Sequence, residues 1–414
     1  DGKFGGALTR TFSDPAPLER VRSTNFLVGV EREVTPVTIV TLADYFLPNA
    51  GMRLAFHAGA LLNFIAILTS YGLSGPQAYW QVVSKDAGLP PLWLIAVFIL
   101  GGAAIVTLAL QYIIGVLALA TALKCSLFCG VIVLVVFVSS TIPDKPHVIV
   151  HWKGVYEPFL LGCVALGGVV NVMPVTYSLL PSNPSRGQLV LYTRSIVAAI
   201  VVCWILNLMW CRAILDVVPQ LTLVGEDGGV IPSLQDAHQL GEIASVPLTQ
   251  VLKIKGNNPV LVELVHQLVN GFITVSVTVS FIVMSSALRS MLDGFALGIK
   301  RKFGFVSAFT PRWTLYIFWF GLILFFALNN PSGLIKMLSF FASFGTCLQA
   351  GLMIAYMLWN TRFGPAAEKF GNYSLGFENS NATAWTIVMF AGPLFTIVLL
   401  MDIAAPYFGV VAKH

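Results

Sequence analysis

Charge is what this chain has least of. Only 10% of its 414 residues are Asp, Glu, Lys or Arg, and 57% are hydrophobic; soluble domains carry about a quarter charged residues. A soluble fold of this size would need a polar surface that these residues cannot supply, whereas helices that face lipid need none. The net charge of +5 comes with no basic run interleaved with aromatics. It is loop charge that biases orientation, and no nucleic-acid partner is expected.

Catalytic and cofactor signatures are missing as well. No Ser-His-Asp pattern, HExxH, phosphate loop or dinucleotide fingerprint appears, so the chain reads as neither an enzyme nor a cofactor carrier. All six cysteines (Cys125, Cys129, Cys163, Cys203, Cys211 and Cys347) fall in or beside apolar stretches. They read as small packing residues rather than a disulfide framework. Cys125 and Cys129 are one turn apart, but no His or carboxylate is spaced to complete a metal site. The chain opens with neither a signal-peptide pattern nor an initiator Met, so Asp1 is expected to follow processing or an upstream region.

Apolar stretches are what the chain has in abundance. A bilayer crossing takes about 20 residues at ~1.5 Å rise. Stretches of that length lie near 53–80, 91–111, 116–140, 156–180, 189–215, 259–288, 313–329, 332–358 and 384–410. The expected fold class is an all-α polytopic membrane protein with about nine transmembrane helices. Residues 1–50 form a polar segment, read as a loop or tail, and 51–414 carry the bundle. As one helix, Leu92 to Ser140 would be more than twice a bilayer thickness, so it must fold back; Gln111, Tyr112 and Gly115 mark the expected turn.

Alternating nine spans puts 15 basic residues on the side of the N-terminus and 8 on the other, with Lys124 inside a span. Basic residues mark the cytoplasmic side, so the N-terminal segment belongs there and 216–258 becomes an outward loop. The lipid bilayer is the first partner. Plasma and organellar membranes both remain open.

Three features inside the spans carry chemistry. Gly167-Gly168-Val169-Val170-Asn171-Val172-Met173-Pro174 weakens its helix, because Pro removes a donor and clashes with the preceding turn. Discontinuous helices build substrate and ion sites in transporters; a packed Pro kink is the plainer alternative. Thr274-Val275-Ser276-Val277-Thr278-Val279-Ser280 places Thr274 and Thr278 on one face and Ser276 and Ser280 on another. Those hydroxyls either coordinate and cross-link, or bond back to their own helix. Lys124 lies about two turns into its span, where an ammonium is expensive; it marks a site or snorkels to the interface. Arg53 and His57 read as an anchor at the cytoplasmic end.

In order and spacing these features resemble the amino acid/auxin permease family of the amino acid–polyamine–cation transporter superfamily. Val40 to Tyr71 looks like the approach to that family's third helix, and Leu160 to Tyr177 like its glycine-bearing sixth helix before a Pro. The outer loop before the span at 259 is similar to the family's loop between helices seven and eight. The resemblance implies helices 3–11 of a LeuT-like inverted-repeat transporter fold, with helices one and two upstream of Asp1. It implies a substrate site at Gly167, Gly168, Asn171 and Tyr71, and ion coupling at Lys124, Ser276 and Ser280. In some superfamily members a lysine of the fifth helix stands where others hold sodium, close to Ser/Thr of the eighth, which implies coupling to protons. The expected function is a proton- or sodium-coupled neutral amino-acid carrier with an amino acid as substrate. The alternative is a degenerate carrier kept as a non-transporting structural subunit of a larger membrane complex.

Overall fold

The computed structural model describes residues 38–84, 90–141, 146, 162, 166, 168–177, 179–181, 184–224, 230–240, 245–255, 259–303, 309–329, 341–342, 344–364 and 380–404. In chain order these form α1 (Ile39–Phe46), α2 (Ala50–Ser84), α3 (Leu92–Ala104), α4 (Leu110–Thr141), α5 (Val169–Tyr177), α6 (Arg186–Leu215), α7 (Leu234–Leu240), α8 (Ser245–Lys255), α9 (Pro259–Phe303), α10 (Phe309–Leu328), α11 (Ile354–Arg362) and α12 (Ser380–Ala404). Two π-helical segments occur at Ile105–Ala109 and Cys347–Met353. A short antiparallel hairpin pairs β1 (Leu223–Val224) with β2 (Val230–Ile231), Leu223 opposite Ile231.

Among the described residues, six helices are long and apolar enough to cross a membrane: Ala50–Ser84, Leu92–Ala109, Ile114–Ser140, Arg186–Leu215, Pro259–Lys300 and Asn381–Met401. Arg312–Leu328 is apolar but shorter. This is the architecture of a multi-pass helical membrane protein. The expected spans at 156–180 and 332–358 fall largely or partly outside the described residues.

α9 is the spine. Its 45 residues span about 68 Å, more than twice the hydrocarbon thickness. Its first part packs Val262, Val265 and Val269 with Val131, Val135 and Val138 of α4, Ala213 and Ile214 of α6, and Leu248, Val251 and Leu252 of α8. Its second part packs Phe281, Leu288, Met291 and Leu292 with Phe56, Phe64 and Leu68 of α2, Ile99 of α3 and Ile323 of α10. By contrast, α6 presents Val197, Val201, Trp204, Ile205 and Leu208 outward, as a lipid-facing helix must.

The run from Leu92 to Ser140 does reverse relative to α9. Phe98 meets Phe281, and a carbonyl further on, that of Val106, accepts from the Arg289 guanidinium, so α3 and α9 run together. Lys124 then meets Ser280 and Phe128 stacks on Phe272, so α4 runs back. The two crossings Leu92–Ala109 and Ile114–Ser140 part at the expected turn, Gln111 and Tyr112, although the backbone there, with that of Gly115, is helical in α4. The π segment Ile105–Ala109 immediately precedes it; such segments bend a helix locally. α3 comes this close because of glycine: a Cβ on Gly102 would fall 2.4 Å from the Phe281 ring, and one on Gly75 of α2 2.5 Å from Phe98.

A second difference concerns the end of the polar N-terminal segment. It folds as α1, capped by Thr38, whose hydroxyl accepts from Thr41 N while Thr41 Oγ1 accepts from Thr38 N. Ile39, Val40 and Ala43 share one face and bury it against the bundle. The Arg53 and His57 anchor sits beside it, with Arg53 3.8 Å from Asp44 and His57 edge-on to Phe295.

Candidate functional site

Two polar groups among the described residues of the interior bear on function. The first forms where α2, α4 and α9 meet. Lys124 Nζ donates to Ser280 Oγ at 2.9 Å. Tyr71 of α2 lies beside the same serine. The thiols of Cys125 and Cys203 also lie near the ammonium. The described ion pairs join Arg53 to Asp44, Arg212 to Asp216, and Arg289 and Arg312 to Asp293, so none brings Lys124 a carboxylate. Among the described residues the ammonium is held by a hydroxyl with no carboxylate beside it, an arrangement that is costly away from water. The side chain reaches toward α9.

The hydroxyl run on α9 divides as its helical spacing dictates. Ser280 faces Lys124. Thr278 does two things at once: its hydroxyl lies 2.9 Å from Tyr79 of α2 and 2.7 Å from the Thr274 carbonyl of its own helix. The Ser276 hydroxyl makes no side-chain hydrogen bond among the described residues.

The second group lies where α2, α5 and the Cys347–Met353 segment meet. Asn171 of α5 is 3% exposed and accepts from Gln349 Nε2 at 2.6 Å. Thr346, three residues before Gln349, donates to Asn63 Oδ1 of α2 at 3.2 Å. α5 begins one residue after Gly168 and runs through Pro174. Gly167 lies outside the described residues. The opposite face of α5 borders an apolar cleft of about 280 Å³ against α6, where Tyr192 donates to the Met173 carbonyl at 3.1 Å.

The residues named from sequence therefore separate. Tyr71, Lys124 and Ser280 come together, while Asn171 belongs to the other group. Asn63, Thr346 and Gln349 were missed. Their signal was present, since each is a polar residue within an apolar stretch, but nothing in the sequence says which face of such a stretch points inward.

A third cluster joins the far end of α9 to α10. Arg312 Nε lies 2.7 Å from Asp293 Oδ1, Arg289 Nε 3.9 Å from Asp293 Oδ2, and the Tyr316 hydroxyl donates to the same carboxylate. Because Arg289 also holds the Val106 carbonyl, the cluster ties the π segment to the spine.

Comparisons with protein-family models, with curated proteins and with solved structures yield no match. The functional reading rests on the geometry and on the resemblance of the sequence motifs.

Proposed function

We propose that this protein is a secondary-transporter-like membrane protein, a carrier of neutral amino acids coupled to protons or sodium, with nine crossings in a LeuT-like inverted-repeat arrangement. The observation that carries this reading is the Lys124–Ser280 hydrogen bond, with Tyr71 beside it. A lysine without a carboxylate puts a positive charge where a coupling cation would otherwise bind. Such a charge disfavours a second cation in the same place, so protons rather than sodium are the favoured coupling ion. The short α5, entered after a glycine and carrying a buried Asn and Pro, supports the reading as a discontinuous element beside the spine.

The test is uptake of labelled neutral amino acids by proteoliposomes holding the full chain, under proton and sodium gradients in turn. The expected result is accumulation driven by the proton gradient and lost in Lys124→Ala. Correctly folded protein that accumulates no neutral amino acid under either gradient would overturn the carrier. If it also co-purifies in fixed ratio with another membrane protein, the chain is the structural subunit.

A further inference from the structure

The group at α2, α5 and Cys347–Met353 is buried yet half satisfied. Asn63 and Gln349 are wholly inaccessible, and Asn171 nearly so. Each amide makes one side-chain bond, to Thr346, Asn171 and Gln349 respectively. What remains is Asn63 Nδ2, Asn171 Nδ2 and Gln349 Oε1, none with a partner among the described residues. Thr346 and Gln349 lie three residues apart, which sets the two pairs side by side.

Turning the amides over does not remove the deficit. Reversing both Asn171 and Gln349 keeps their mutual bond and leaves one donor and one acceptor unused. Reversing Asn63 only exchanges an unused donor for an unused acceptor. No member is charged, so the set does not call for an ion. Space is tight as well: a Cβ on Gly345 would lie 2.6 Å from the Gly59 carbonyl. The guest must be small, uncharged, and able both to give and to take hydrogen bonds.

We propose that this cluster is an internal hydration site, in which bound water accepts from Asn63 and Asn171 and donates to Gln349. Two donors and one acceptor occupy a water's two lone pairs and one of its two hydrogens, the three bonds usual for buried water, which settles where polar groups are otherwise unpaired. The consequence reaches α5. A water-mediated contact is nearly as favourable as a direct one, so the Gln349–Asn171 bond can exchange with a bridged form and α5 can shift against the bundle without stranding its Asn. The site itself stands whether or not the chain transports anything.

Water-edited solid-state NMR on the full chain in liposomes reads it directly. The side-chain amides of Asn63 and Asn171, assigned by their loss in Asn63→Thr and Asn171→Thr, should take up magnetisation from water as fast as exposed Gln188. The buried backbone amides of Leu288 and Met291 should lag severalfold. Gln349→Leu removes the acceptor and should slow transfer to Asn171. Asn63 and Asn171 lagging with Leu288 and Met291 would overturn the proposal, and the native protein alone decides this if a variant fails to fold. Failure of transport leaves the NMR result untouched, so the two conclusions fail separately.

Discussion

Gly345→Ala adds one methyl group at the closest approach of α2 to the helical turn before Cys347–Met353. The new Cβ would lie 2.6 Å from Gly59 O and 3.0 Å from both Asn63 N and Asn63 Cβ. Two of those atoms are backbone, which no rotamer change can move, so the helices must part by about 1 Å to restore ordinary contact. Overpacking of this kind costs about 1–3 kcal/mol. Parting also stretches the Thr346–Asn63 hydrogen bond, already 3.2 Å long, worth about 1 kcal/mol more. Against this, alanine gains up to about 1 kcal/mol over glycine in a helix. The net expectation is a loss of about 2 kcal/mol, or about thirtyfold in the ratio of folded to unfolded protein. Two comparisons calibrate it. Gly59→Ala meets Leu348 Cδ2 at 3.2 Å, the end of a flexible side chain, and should cost less than about 1 kcal/mol. Gly101→Ala meets nothing within 4 Å and should be neutral or slightly stabilising. Reversible unfolding in mixed micelles, followed by tryptophan fluorescence, ranks the three. Gly345→Ala within about 0.5 kcal/mol of Gly101→Ala, the scatter of ordinary surface changes, would refute the close approach.

Lys124→Leu should unfold at least as reluctantly as the native chain, because an unpaired buried charge is removed, while gradient-driven uptake disappears; a large loss of stability would mean the lysine is structural. Asn171→Leu and Gln349→Leu should each cost about 1–3 kcal/mol by stranding the partner amide, and the double variant less than the sum, measured by the same unfolding assay. Asp236 caps α7: its carboxylate accepts from Ser233 Oγ at 2.7 Å, Thr222 Oγ1 at 2.9 Å and Ser233 N at 3.2 Å. These bonds, the Ser233 hydroxyl foremost, hold its pKa below the usual carboxylate value. The stabilisation is therefore complete above the unfolded pKa of about 4 and lost as pH falls through the lower folded value. Amide exchange across α7 should stay protected at neutral pH and rise only in that acid range, whereas Asp236→Asn should show no such step. Cysteines placed at Asp227 and Lys302 should label from opposite faces of the membrane, as the basic-residue asymmetry demands; labelling from one face would invert the topology.

Sequence alone determined that this is a helical membrane protein, because a crossing announces itself by length and hydropathy regardless of its neighbours. It also singled out Lys124, Ser280 and Asn171, because polar groups in such stretches are expensive and few, while Tyr71 came from the family resemblance. Partners and directions were beyond it. In a bilayer both the protein interior and the lipid are apolar, so the periodicity that reports a buried face in soluble helices fades. Only the tertiary structure decided that Lys124 turns toward Ser280, that Asn171 pairs with Gln349, and that Thr346 reaches Asn63. The chain's reversal between α3 and α4 was legible from length alone. Its backbone was not, because Gln111, Tyr112 and Gly115 look like loop residues and yet keep helical backbone at the start of α4, just after the π segment. Likewise α1 looked like a tail until Ile39, Val40 and Ala43 found apolar surface to cover. Which of its faces was the inner one depended on helices far away in the chain, and that is information only the folded bundle holds.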